Sequence, residues 1–240
     1  MQLMVSVITA EEAGLAIAGG ADILDVKNPA EGSLGAPFPH IVRQVRGCAP
    51  RPALVSAAIG DMPNLPGTAA LAALGAAACG VDFVKVGLFG PKSPQEAVVL
   101  LKAVQQALGA YPDVKVIAGG YADAQRAGTL PPALLPAIAA QAGVAGCLLD
   151  TAIKDGLRLF DFLSPQTLQN LAAEAHAAGL LFALAGALQG EDLLVVGSLG
   201  ADVVGVRTAV CQDNQRSAPL QIERVRLLRD LLSKSVAVIS

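Results

Sequence analysis

Aromatic residues, histidines and charged residues are scarce in this sequence. Its 240 residues include no tryptophan, two tyrosines and two histidines, and 15% of them are charged. Seventeen basic residues without a cluster stand against twenty acidic ones, which leaves little for a nucleic-acid surface. Carboxylates without neighbouring histidines make no credible metal site. We therefore expect no metal, no cofactor and no nucleic-acid partner.

Paired cysteines and long hydrophobic runs are also missing. The four cysteines are widely separated and form no CxxC pair: Cys48, Cys79, Cys147 and Cys211. This usage is typical of a reducing cytoplasm. The longest mostly apolar stretch, residues 68–80, is shorter than the roughly 18 to 20 residues of a bilayer span. No basic residue precedes the first apolar run, which argues against a signal peptide, so we expect a soluble cytoplasmic protein without a membrane partner.

Apolar residues and glycine dominate what is present. The chain is 53% hydrophobic with 25 glycines, so it can bury a sizeable core and is too apolar for a disordered protein. Short β-like runs alternate with Ala/Leu-rich helical stretches. The predicted strands cover residues 3–7, 22–27, 54–60, 83–88, 115–120, 146–151, 181–186 and 203–208. The predicted helices cover residues 9–18, 39–48, 68–79, 94–108, 132–141, 165–178, 191–199 and 221–233.

Eight successive βα units predict an α/β protein, a single-domain (β/α)₈ TIM barrel over residues 1–240. The strands are nearly continuous apolar runs, typical of a parallel sheet that is covered on both faces. An open, doubly wound sheet is the alternative, although no GxGxxG follows the first strand. In a barrel, chemistry gathers at the carboxyl ends of the strands, and the amino ends serve stability.

Residues at the element boundaries fit this arrangement. Thr9, Ser93 and Ser164 are typical first residues of helices. Glycines suited to a left-handed helix C-cap follow five predicted helices: Gly19, Gly80, Gly143, Gly179 and Gly200. Three aspartates come where strands begin, and we interpret them as caps and turns of the stable rim: Asp22, Asp82 and Asp202.

The candidate catalytic residues lie at the carboxyl ends of strands two, four and six. Asp25 and Lys27 are two residues apart and share one face of their strand, Lys85 is on strand four, and Asp150 and Lys154 end and follow strand six. The position of each lysine, taken alone, is equally consistent with a side chain that extends to solvent and has no catalytic role. Several ionisable groups together in an apolar barrel mouth have a desolvation cost, which predicts that they pair with one another or serve a function. Burial and neighbouring cations lower a lysine's pKa, which favours Schiff-base formation with a carbonyl.

Glycines and an arginine at the last two strands are candidates for phosphate binding. Gly186 and Ala187 end strand seven, and Gly205 and Arg207 end strand eight. Barrels often bind phosphate at these two loops through backbone N–H groups, and an arginine adds a charge-assisted contact. Glycine at a strand end is also an ordinary turn residue, so this signal is weak by itself.

The loop of residues 27–35 is long for a βα connection and rich in turn formers, which makes it a candidate lid. Asp61 after strand three and Tyr121 after strand five are candidates for lining the site, although an ordinary loop role is as consistent with Tyr121.

Segments spread almost from end to end resemble one family, the (5-formylfuran-3-yl)methyl phosphate synthases. The two most specific are GGADILDVKNP at residues 19–29 and LDTAIKDG at residues 149–156. Further matching segments are residues 31–36, 85–90, 118–124, 159–162, 183–186 and 202–207. The chain departs from the family pattern at Ala187, where a serine is common, and in the loop of residues 208–214.

The resemblance implies a (β/α)₈ lyase that condenses two molecules of glyceraldehyde 3-phosphate into a phosphorylated furan aldehyde, with loss of phosphate and water, for methanofuran-type carriers. It implies that Lys27 forms the Schiff base, that Lys85 transfers protons, and that Asp25, Asp150 and Lys154 complete the site. The alternatives are a phosphate-sugar aldolase or isomerase, and a barrel that binds a phosphorylated metabolite without turnover. Apolar, Ala-rich helices lead us to expect a homo-oligomer.

Overall fold

Eight parallel strands close into a barrel in chain order, each paired with its sequence neighbour and the last with the first. This computed structural model describes residues 1–237. The fold confirms the predicted single-domain TIM barrel and excludes the open sheet. The strands are Gln2–Val7 (β1), Ile23–Val26 (β2), Leu54–Asp61 (β3), Phe83–Gly87 (β4), Lys115–Tyr121 (β5), Gly146–Asp150 (β6), Leu181–Leu184 (β7) and Val203–Val206 (β8).

Helices follow every strand and cover the outside of the barrel. They are Ala10–Ala18 (α1), Pro39–Cys48 (α2), Pro66–Ala77 (α3), Pro94–Ala107 (α4), Ala124–Ala127 (α5), Leu135–Ala142 (α6), Leu159–Phe162 (α7), Pro165–Ala177 (α8), Gly190–Ser198 (α9) and Ile222–Ala237 (α10). All eight predicted helices are present, and α5 and α7 are short additions in the loops after β5 and β6. None of the helices in this described part of the chain has both the length and the hydropathy needed to cross a bilayer.

The capping residues predicted from the sequence lie at the helix ends, with one exception. Thr9, Ser93 and Ser164 each accept a hydrogen bond from a backbone N–H in the first turn, as predicted. The predicted left-handed cap at Gly19 is wrong, because its φ is −83° and Gly20 takes the positive φ instead. Gly19 is needed for close packing, since a Cβ there would lie 2.5 Å from Cβ of Val225 on α10.

Aspartates tie neighbouring strands together at the amino-terminal rim. Asp22 accepts a hydrogen bond from the backbone N–H of Leu3, and Asp82 accepts one from that of Val55. Asp202 repeats the contact with the N–H of Phe182 at 2.8 Å. The prediction that these three carboxylates belong to the stable rim is confirmed.

Apolar side chains form two layers of core. The larger cluster lies between the strands and the helices. A smaller cluster fills the inside of the barrel, below the candidate site: Met4, Ile23, Leu34, Ala58, Ile117, Leu148, Ala183, Ala185 and Val203. Because side chains fill most of the inside, the barrel is a packed core and not an open pore.

A bulge at the end of β3 shapes the carboxyl-terminal rim. The pairing between β3 and β4 shifts between Ala58 and Asp61, where Gly60 has a φ of 121°. A β-bulge bends the strand and re-aims the following side chain. It turns Asp61 toward the loop that follows β2, where its carboxylate accepts two backbone hydrogen bonds.

Candidate active site

Five ionisable side chains meet in one cavity at the carboxyl-terminal rim. Lys27 and Asp25 come from the end of β2, Lys85 from β4, Asp150 from the end of β6 and Lys154 from the loop beyond it. All five candidate catalytic residues therefore share one cavity. It is also lined by all four residues that we predicted for phosphate binding at the last two strands: Gly186, Ala187, Gly205 and Arg207.

The two aspartates each have a lysine in direct contact. Lys85 Nζ lies 2.6 Å from Asp25 Oδ1, and Lys154 Nζ lies 2.6 Å from Asp150 Oδ1. Both carboxylates are at most 2% exposed; Lys85 is buried with Asp25, whereas the side chain of Lys154 is 23% exposed. Each carboxylate is thus largely compensated by a lysine other than Lys27.

Lys27 sits between the two aspartates without touching either closely. Its Nζ lies 3.9 Å from Asp25 Oδ2 and 3.8 Å from Asp150 Oδ2, and the residue is 6% exposed. Burial lowers the pKa of Lys27 to about 8; the two aspartates oppose this shift, and Lys85 and Lys154 add to it. Lys27 is therefore a buried amine that loses its proton near pH 8, well below the usual range of a lysine.

Further hydrogen bonds hold the carboxylates in place. Ser6 Oγ donates to Asp25 Oδ2 at 3.1 Å, and the backbone N–H of Thr151 donates to Asp150 Oδ1 at 2.8 Å. Burial acts to raise the pKa of Asp150, but the charges of Lys154 and Lys27 outweigh it and hold that pKa well below its usual value. Asp150 is accordingly an anion throughout the physiological range.

The cavity is narrow and continues into a wider cleft. The space around Lys27 measures about 30 Å³, room for a water molecule or two. The cleft measures about 680 Å³ and runs over residues 28–33 of the loop after β2. Lys154 and Arg216 line both spaces and form the boundary between them.

Asp61 and Tyr121 hold the candidate lid and do not line the cavity around Lys27. Asp61 accepts hydrogen bonds from the backbone N–H of Ser33 at 2.8 Å and of Leu34 at 3.2 Å, and also from the hydroxyl of Tyr121. The side chain of Leu34 is fully buried in the inner core of the barrel. The loop thus lies closed across this side of the rim, and direct substrate contacts of Asp61 and Tyr121 stay a prediction.

The turn after β7 is sharp, and the helix after it is already capped. Gly186 has a φ of 109° and Ala187 a φ of 53°. At the start of α9, Asp192 accepts a hydrogen bond from the backbone N–H of Gln189 at 2.8 Å. A carboxylate therefore occupies this helix N-terminus, which leaves the backbone of the turn itself for an anion.

Most N–H groups of Arg207 donate hydrogen bonds to other residues of the protein. Its Nη1 and Nη2 donate to the two carboxylate oxygens of Glu12, at 2.5 and 2.9 Å. Nη1 also donates to the carbonyl of Ser6, and Nε donates to the carbonyl of Arg216. These four hydrogen bonds leave one of the five guanidinium N–H groups for a ligand. Phosphate binding by Arg207 stays a prediction.

Sequence reasoning missed Glu12 and Arg216. Glu12 was interpretable only as an acidic residue in the first turn of α1, and its partner Arg207 is 195 residues away. Arg216 lies in the irregular loop between β8 and α10, where no periodic pattern points to a side-chain direction. Across residues 1–237, no group of three His, Cys, Asp or Glu side chains is arranged to hold a metal ion.

Comparison with known proteins shows the family. The sequence profile described as "4-HFC-P synthase" matches residues 3–229. The chain is 49% identical over 233 residues to the (5-formylfuran-3-yl)methyl phosphate synthase of Methanocaldococcus jannaschii, covering 96% of this chain and 99% of that relative. It is 47% identical over 234 residues to the protein of the same name from Methanopyrus kandleri, covering 97% and 99%.

Solved structures agree with the fold. The chain is similar to 3-hexulose-6-phosphate synthase from Salmonella typhimurium, with a TM-score of 0.70, 17% sequence identity and coverage of 98% of this chain and 100% of that one. It is also similar to phosphoribosyl anthranilate isomerase from Thermus thermophilus, with a TM-score of 0.64, 21% identity and coverage of 98% and 99%. At such identities the likeness concerns the fold alone.

Proposed function

The chain belongs to the 4-HFC-P synthase family, and from this membership we propose that it condenses two molecules of glyceraldehyde 3-phosphate into (5-formylfuran-3-yl)methyl phosphate. The atoms balance when one phosphate and two water molecules are released. The proposed reaction is that of a lyase that works through a Schiff base. We place it in the cytoplasm, in the synthesis of methanofuran-type one-carbon carriers.

One observation carries this proposal: Lys27 is buried between two carboxylates that each contact a different lysine. Only an uncharged amine adds to an aldehyde, and the lowered pKa of Lys27, about 8, makes that form accessible at neutral pH. An iminium formed on its Nζ would carry a fixed positive charge within 4 Å of Asp25 and Asp150. Carboxylates in that position stabilise such a cation.

The proposed steps follow from the iminium. Addition of Nζ to the aldehyde carbon and loss of one water give the iminium, which withdraws electrons and acidifies the adjacent carbon. Transfer of that proton to a base gives an enamine. The enamine expels the phosphate at its third carbon, and the second carbon of the other triose, in its enediol form, adds to that carbon of the resulting unsaturated iminium. Ring closure, dehydration and release of the lysine complete the furan.

Lys85 is our candidate for the proton transfer. It contacts Asp25 at 2.6 Å and is 3% exposed, so its position beside the nucleophile is fixed. We assign Lys154 and Asp150 to charge balance around the iminium. The backbone of Gly186, Ala187 and Gly205, with the free N–H of Arg207, is our candidate contact for one substrate phosphate.

A product assay tests the reaction. With glyceraldehyde 3-phosphate as the only substrate, we expect furan absorbance to grow and one inorganic phosphate to appear for each furan. Lys27→Ala should lower the rate at least a thousandfold, because no other amine replaces the nucleophile. The exposed residue Lys102 on α4 provides the matched control, and Lys102→Ala should retain the full rate.

The same assay separates the competing functions. Consumption of the triose without a furan would indicate an aldolase or isomerase. Binding of the triose without any consumption would indicate a metabolite-binding barrel. A furan formed at an undiminished rate by Lys27→Ala would refute the assigned nucleophile.

A further inference from the structure

Two nitrogens of the Arg216 guanidinium are buried at the boundary between the cavity and the cleft without a partner. Its Nε and Nη2 are shielded from solvent, yet they make no hydrogen bond to any residue in the described part of the chain. Burying part of a charged group without a partner is unfavourable, so such a group usually meets a counterion. Burial also lowers the pKa of Arg216, and the nearby charge of Asp150 only partly opposes that shift.

The neighbouring cations are already paired. Lys154 contacts Asp150 and donates to Thr151 Oγ1 at 3.0 Å, and Arg207 is held by Glu12. Arg216 is therefore the cation at this boundary whose hydrogen-bonding groups are available to a ligand. A guanidinium presents a planar set of donors that suits the oxygen atoms of a phosphate.

The loop that carries Arg216 is fixed by its own hydrogen bonds. Cys211 and Leu220 pair across its base as an isolated antiparallel bridge. Arg207 Nε donates to the backbone carbonyl of Arg216 at 3.1 Å, and Arg224 Nη1 donates to Asn214 Oδ1 at 2.6 Å. The backbone of Arg216 is thus held independently of its side chain.

The dimensions of the two spaces decide which substrate group Arg216 meets. The cavity around Lys27, about 30 Å³, is too small for a whole triose phosphate, whereas the adjoining cleft of about 680 Å³ can receive the rest of the reacting substrates. A second triose that reaches the first must approach through the boundary lined by Lys154 and Arg216. The phosphate of this second triose would provide the counterion for the guanidinium of Arg216.

We propose that Arg216 binds the phosphate ester of the second triose, at the boundary between the cavity and the cleft. This inference rests on the proposed function for the identity of the ligand. The binding of a phosphate ester at Arg216 is testable without that function.

Calorimetry with glycerol 3-phosphate provides this test, because the compound carries the phosphate but no aldehyde and forms no imine. We expect Arg216→Ala to weaken binding about 10- to 100-fold, as loss of a charge-assisted contact does. Arg216→Lys should recover part of the affinity, since it restores the charge without the planar donors. The exposed residue Arg226 on α10 is the control, and Arg226→Ala should bind like the unaltered protein.

Kinetics separate phosphate binding from a general change of the site. Arg216→Ala should raise KM for glyceraldehyde 3-phosphate, while borohydride trapping of unphosphorylated glyceraldehyde on Lys27 should proceed at the usual rate. Unchanged affinity for glycerol 3-phosphate in Arg216→Ala, or equal loss of glyceraldehyde trapping, would overturn the inference. No furan together with Arg216-dependent binding would refute the proposed function and leave the phosphate site standing.

Discussion

A single lysine differs from its neighbours because of how the charges around it are shared. Three lysines and two aspartates alternate in space, and the outer lysines make the 2.6 Å contacts. Lys27, in the middle, keeps two longer contacts of 3.8 and 3.9 Å. Burial therefore dominates its pKa, and its amine is the one suited to attack a carbonyl.

The pH dependence of imine formation follows from this arrangement. At pH 7 about a tenth of the Lys27 side chains are uncharged if the pKa is about 8. The rate at which the adduct is trapped by borohydride should therefore rise about tenfold from pH 6 to 7 and level off above about pH 9. Lys85→Met should move the midpoint to higher pH, because Lys85 lowers the pKa of Lys27. A rate that keeps rising to pH 10, as for an exposed lysine, would contradict the lowered pKa.

The sequence predicts contacts between residues close together in the chain but not contacts that form only when the barrel closes. Asp25 and Lys27 were predictable as a pair, because side chains two apart on a strand share a face. The pairing of Glu12 with Arg207 was not, since it joins positions 195 residues apart through barrel closure. The unpartnered nitrogens of Arg216 also depend on tertiary packing, so no pattern in the sequence indicated them.

Among the elements, the loop after β2 borders the cleft beside the site. The sequence predicted a candidate lid from its length and turn formers, and the structure adds its anchor, the carboxylate of Asp61. Burial, with Asp61 beside it, raises the pKa of Tyr121 well above its usual value, so the phenol stays a donor to this carboxylate. The sequence could not reveal the anchor, because the bulge at Gly60 that aims Asp61 leaves no periodic signal.

Weakening this anchor should loosen the loop. Asp61→Asn places an amide against three donors, so we expect the free energy of unfolding to fall by about 1 to 3 kcal/mol. Hydrogen exchange at the amides of Ser33 and Leu34 should become faster, and KM should rise because the loop borders the cleft. Asp113→Asn, at an exposed site in the α4–β5 connection, is the control. Unchanged exchange at Ser33 and Leu34 in Asp61→Asn would refute the anchor.

The predicted strands were right in number and order, and their ends differed by at most two residues. β7 and β8 each stop two residues before the predicted end, because the chain turns there toward the following helix and 3₁₀ turn. The last helix extends beyond the predicted residue 233. Apolar runs identify buried strands well, but the exact end depends on tertiary contacts that no local pattern contains.

At the scale of the whole molecule, barrel closure creates the site. Closure brings the ends of β2, β4 and β6 to one level, so groups from alternate strands meet although 125 residues separate Asp25 from Asp150. The alternation of βα units predicted this convergence at the carboxyl-terminal rim. The expected homo-oligomer concerns the outer surface of the barrel and stays a prediction.

Mapping the covalent adduct is the decisive measurement for this arrangement. The protein is incubated with glyceraldehyde 3-phosphate, reduced with borohydride during turnover, digested and analysed by mass spectrometry. We predict one reduced triose adduct, on the peptide that contains Lys27, and its absence in Lys27→Ala. An adduct on Lys85 or Lys154 instead, or furan production with every lysine unmodified, would contradict the assignment of Lys27 as the Schiff-base residue.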